Sequence, residues 1–173
     1  MIRVFPVRCT WSTSPMDDSR AEVLVVGVGN TLLADEGVGV HVANILQGMA
    51  LPAHVRVMEC GTNFMAIAPR LCGVRKVVII DAVRAGSAPG TLHRLSYEEL
   101  EGAAGGLRFA HQVNLLSSLR LLRVAEPGFS QAGIVLLGVE PKTVAPALHM
   151  SPEVHACLPQ VVGAVCAELS AKA

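Results

Sequence analysis

Apolar and polar positions follow two different rhythms along this chain, and the switches between them mark out its elements. Residues 22–29, EVLVVGVG, form an unbroken apolar run suited to a central parallel strand covered on both faces. In residues 37–49 the period changes. Val38, Val42, Ile45, Leu46 and Met49 recur at helical spacing and predict an amphipathic helix. The segment HVRVMEC at 54–60 alternates as a strand does, and 62–71 predicts a helix that ends near Gly73. A second buried strand, RKVVIIDAV, spans 75–83. Turn-rich residues 84–90 lead into TLHRLS at 91–96, whose short alternation predicts an edge strand. A helical turn over 97–104 is broken by Gly105-Gly106, and HQVNLLSSLRLLRV at 111–124 predicts a second amphipathic helix. GIVLLGVE at 133–140 reads as a third apolar strand. Ser151-Pro152-Glu153 reads as the capped start of a last helix running towards Leu169.

Strands alternating with helices imply right-handed crossovers and a sheet covered on both faces. The predicted fold is therefore a single three-layer αβα domain over 21–173, with a mostly parallel central sheet of about five strands and one antiparallel edge strand. A length of 173 residues fits one such core and not two. Residues 1–20 read as a flexible extension, with no signal peptide because their apolar stretch is broken by Pro6 and Arg8; Met16 offers an alternative start. In open sheets of this kind the working site lies beyond the carboxyl ends of the strands. That rule directs attention to the turns after Gly29, Cys60, Asp81 and Glu140.

Composition narrows the function classes. The chain is 51% hydrophobic and 16% charged, with only 3% aromatic residues, so aliphatic side chains must fill the core. Lysine plus arginine equals aspartate plus glutamate at 14 each. A neutral chain without a basic stripe offers little to nucleic acid or to an anionic membrane, and no apolar run is long enough to span one. Five cysteines, none paired at zinc-thiolate spacing, read as small apolar filler in a reducing, cytoplasmic compartment.

Three residues at the predicted working edge carry candidate chemistry. Asp35 and Glu36 are adjacent acids just before a helix, where a carboxylate can serve as a cap while its neighbour turns into the cleft. Asp81 ends a buried strand, where a carboxylate is costly unless hydrogen-bonded, paired or bound to a cation. His111 begins a helix, a place that suits a cap or a surface residue when considered alone. Together, two carboxylates and one imidazole match a divalent transition metal held with open positions, without naming the metal.

The motifs that hold these residues are more specific. GVGNTLLADEGVGVHVANIL, followed in order by ECGT, VVIIDAV, PGTL, HQVNLL and LLGVEP, resembles the nickel–iron hydrogenase maturation endopeptidases from Val23 to about Leu158. The resemblance implies an enzyme that removes the C-terminal extension from a nickel-loaded hydrogenase large-subunit precursor. It also implies that Glu36, Asp81 and His111 are the metal-binding and catalytic residues, with Asp35 a helix-start acid. The nickel would be carried by the substrate rather than held permanently, and zinc or cadmium could occupy the same donors in vitro. The expected partner is that precursor, met by a monomer. One departure stands out: the turn that usually reads Asp-Gly-Gly-Thr is Glu59-Cys60-Gly61-Thr62 here, which bears on how the substrate tail fits.

Two rival readings have specific grounds. A non-catalytic nickel chaperone on the same fold would keep the three ligands and drop the cleavage. A nucleotide-binding module is suggested by Gly27-Val28-Gly29 after a strand, but Leu32 holds the third glycine position and two acids would face the pyrophosphate.

Overall fold

The structure is a computed structural model that describes residues 22–102, 108–109 and 115–170. Its apolar runs become the strands β1 (Val23–Val28), β2 (Val55–Gly61), β3 (Lys76–Arg84), β4 (Leu92–Ser96) and β6 (Gly133–Val139), with a two-residue β5 at Arg108–Phe109. The helices are α1 (Val38–Gln47), α2 (Tyr97–Gly102), α3 (Leu115–Ala125) and α4 (Pro152–Ser170).

Sheet order is β2-β1-β3-β6-β4. The first four strands run parallel; β4 lies antiparallel to β6 at the edge, as the short alternation of 91–96 predicts. β5 is additional, pairing antiparallel with the far end of β3. Nothing in the sequence marks so short a strand.

The period-two alternation of the buried strands divides the core into two layers. On one face Val77, Ile79 and Val83 of β3 join Leu24 and Val26 of β1 beneath Leu115, Leu119 and Leu122 of α3. On the other, Val78, Ile80 and Ala82 join Val25 beneath Val38, Val42 and Leu46 of α1 and Val154, Val161 and Val165 of α4. This is the expected three-layer αβα arrangement.

Two local expectations change. The predicted helix over 62–71 is a 3-10 helix, Phe64–Arg70, with Pro69 inside it. Proline has no amide to donate and its ring crowds the preceding turn, which disfavours a regular α-helix in so short a segment, although the longer α4 accommodates Pro159. Nor does Ser151 spend its hydroxyl on α4; it donates to Asp35 Oδ2 at 2.9 Å.

Helix α1 is drawn unusually close to the sheet. A Cβ placed on Gly39 would come within 2.2 Å of the Ile80 carbonyl oxygen and 2.3 Å of that of Val28. Only glycine allows this approach, which sets the first turn of α1 on the C-terminal ends of β1 and β3.

α4 is fastened at both ends. Near its start, Ser151 bonds to Asp35. Near its end, Glu168 receives Lys76 Nζ at 2.8 Å and is also paired with Arg94.

Candidate active site

Glu36 lies in the single 3-10 turn Ala34–Gly37 that joins β1 to α1, and it is only 2% exposed. That turn packs against β3, the strand carrying Asp81. Asp81 is fully buried and comes directly after Ile80, whose carbonyl meets Gly39 of α1. Its Oδ1 accepts the Ala82 amide at 2.7 Å. The close packing of α1 thus brings two buried carboxylates from distant segments to one end of the sheet, as expected from the topology. His111 lies outside the described residues, and α3 is described from Leu115 onward. Among the described residues no three His, Cys, Asp or Glu side chains form a metal-sized cluster.

Asp35 stands in the first turn of Ala34–Gly37, as a helix-start acid would, but its side chain does not cap that turn. It is fully buried, and its carboxylate reaches across the domain rather than to its own helix. Oδ1 accepts the Ser151 amide at 2.6 Å, while Oδ2 accepts the amides of Lys142 at 2.9 Å and Thr143 at 2.8 Å and the Ser151 hydroxyl at 2.9 Å. Main-chain contacts reinforce the junction, with Ala34 N donating to Ala147 O at 2.9 Å and Ala147 N to Leu32 O at 3.1 Å. Partners more than a hundred positions away leave no local trace, so sequence reasoning could not find this role.

Glu140 is a second site-end carboxylate with a structural task. Its Oε2 accepts the amides of Ala85 at 2.8 Å and Ser87 at 3.2 Å, and His93 Nε2 stands 3.7 Å away. It therefore fixes the turn that follows β3. Its place at the end of an apolar strand was a visible signal.

Cys60 sits in the departing turn. The β1–β2 register runs from Gly27↔Glu59 to Val28↔Gly61, which makes Cys60 the extra residue of a bulge. The side chain is half-buried against the α3-side core. Burial, and then the negative charge of Asp81, push its thiol up to about 12. A group so firmly protonated is no nucleophile at neutral pH, in line with the sequence reading.

Of the remaining histidines, His149 and His155 are exposed at the α4 start and His54 is exposed before β2. The two acids at the first turn also argue against a dinucleotide, because an anion would meet buried negative charge there.

A family model described as hydrogenase maturation protease matches residues 40–168. This chain belongs to that family. The hydrogenase maturation proteases are peptidases, and the strand order and helix layers fit their solved structures. The chain is 33% identical over 149 residues to the hydrogenase 2 maturation protease of Escherichia coli K12, covering 85% of this chain and 90% of that one. It is 32% identical over 121 residues to the hydrogenase expression/formation protein HupD of Rhodobacter capsulatus, of whose length it spans 57%. The solved hydrogenase-maturating endopeptidase HybD from E. coli superposes with a TM-score of 0.75 at 31% identity, over 86% of this chain and 91% of that one. No helix among the described residues is long and apolar enough to cross a membrane.

Proposed function

We propose that this hydrogenase maturation protease cuts the C-terminal extension from a nickel-loaded hydrogenase large-subunit precursor. Glu36, Asp81 and His111 are the residues assigned to this task, working in the cytoplasm as a monomer. The observation that carries the reading is the burial of Glu36 and Asp81 at one end of the sheet. Burial of two carboxylates at the working end of the sheet is met by hydrogen bonds, pairing or a cation, and it places their oxygens where a positively charged group of the substrate would meet them. Carboxylate oxygens plus an imidazole suit a divalent transition ion such as nickel or zinc.

In this scheme nickel arrives with the substrate. The donors recognise it, and recognition aligns the scissile peptide at the C-terminal edge of the sheet. Cleavage then depends on the metal having been installed, which orders the steps of maturation. The exposed Glu59 beside the bulge stands at the same edge, so its longer side chain bears on how the substrate tail fits.

The test is to incubate the purified protein with nickel-loaded and nickel-free precursor and to read the precursor's mass. Loss of the C-terminal peptide only from the loaded form is the expected result. A non-catalytic nickel chaperone would leave both lengths unchanged, and that outcome would overturn the reading.

A further inference from the structure

Asp35 and Glu36 are adjacent, buried and acidic, yet one of them is wholly committed to the scaffold. All four donors on Asp35 are neutral: three main-chain amides and one hydroxyl, separated from it by 107 to 116 positions. Four donors on one carboxylate hold its segment firmly, and losing the acceptor leaves several buried donors unsatisfied at once. The turn they hold is not a relaxed one. Ala34 has φ 50, a left-handed conformation that a residue with a side chain rarely adopts. Asp35 N also donates to Thr143 O at 3.2 Å, so main chain and side chain grip the same segment. The strained turn therefore persists because residues 141–151 hold it, and Glu36 is the next residue along.

We infer that Asp35 is a positioning residue: by locking the 34–37 turn to the 141–151 segment, it sets where the Glu36 carboxylate stands in the site. It touches no substrate itself. The inference rests on the proposed role of Glu36 as a metal donor. Replacing Asp35 with asparagine keeps the size but turns an NH2 group towards donors that need an acceptor, so the turn relaxes and Glu36 moves.

The test uses the full chain and zinc as the metal probe, with isothermal titration alongside thermal melts, each variant titrated well below its melting point. Glu36→Gln should abolish the site. Asp35→Asn should weaken zinc binding at least tenfold while the protein is still folded. Ser151→Ala, which removes a single donor, should weaken it about threefold. A folded Asp35→Asn with wild-type affinity would overturn the inference and leave the role of Glu36 standing, because a purely structural Asp35 would lower only the melting temperature. Should Asp35→Asn not fold, wild-type affinity in Ser151→Ala would overturn it equally. Zinc binding undiminished in Glu36→Gln would instead remove the ligand assignment, and the inference with it.

Discussion

Gly29 and Glu36 are in steric register: a Cβ on Gly29 would lie 1.8 Å from the Glu36 carbonyl oxygen. Gly29 also has φ 137, which side-chain-bearing residues rarely adopt. The end of β1 and the candidate acid's main chain are thus shaped against each other. Gly29→Ala is expected to displace the turn, lower Tm by roughly 5–10 °C and abolish precursor cleavage. A variant that melted and cleaved like wild type would show that the loop tolerates repositioning.

The acids themselves separate chemistry from folding. Glu36→Gln and Asp81→Asn preserve shape and remove negative charge, and His111→Ala removes the imidazole. Each is expected to give a folded protein by circular dichroism that no longer processes nickel-loaded precursor. Normal cleavage by all three would end the site assignment.

Cys60 offers a control on mechanism. With its thiol held near 12, it stays protonated at pH 8, whereas Cys72 is exposed. Brief iodoacetamide treatment of the folded protein at that pH should label Cys72 in preference to Cys60, as read by peptide mass spectrometry. Cys60→Ala should keep cleavage within about threefold of wild type, since a half-buried thiol contributes packing rather than chemistry. Loss of activity greater than a hundredfold in a folded Cys60→Ala would point to a thiol enzyme.

Glu168 supplies a pH signature. Its pairing with Arg94 and Lys76 holds its carboxyl below the ordinary glutamate range in the folded state. A depressed folded pKa adds stability that is fully present above the unfolded value and disappears as pH falls through the folded one. Glu168→Gln should therefore destabilise at pH 7, by on the order of 1 kcal/mol, because part-buried Lys76 loses its charge partner and keeps only the Glu168 carbonyl. The gap between variant and wild type in urea melts should close as pH drops below 4. A gap that stayed constant from pH 7 to 3 would contradict the linkage.

Much of this architecture was legible because its signals are local. The apolar runs at 22–29, 75–83 and 133–140 are continuous, and each became a buried strand within about one residue of its predicted bounds. Asp81 was conspicuous as a carboxylate closing such a run. What escaped depends on distance. Asp35 answers to Lys142, Thr143 and Ser151, and Ser151 answers back, so two residues with strong capping propensity are diverted by a contact that no window contains. The helix predicted over 62–71 took the shorter 3-10 form at Phe64–Arg70, with Pro69 inside it.

The double fastening of α4 also has a consequence for biosynthesis. Asp35 and Lys76 emerge from the ribosome long before Ser151 and Glu168, and until then each lacks its counterpart. The strained turn beside Glu36 therefore gains its side-chain anchor only from the last third of the chain, and any form cut short before Lys142 leaves Asp35 without it.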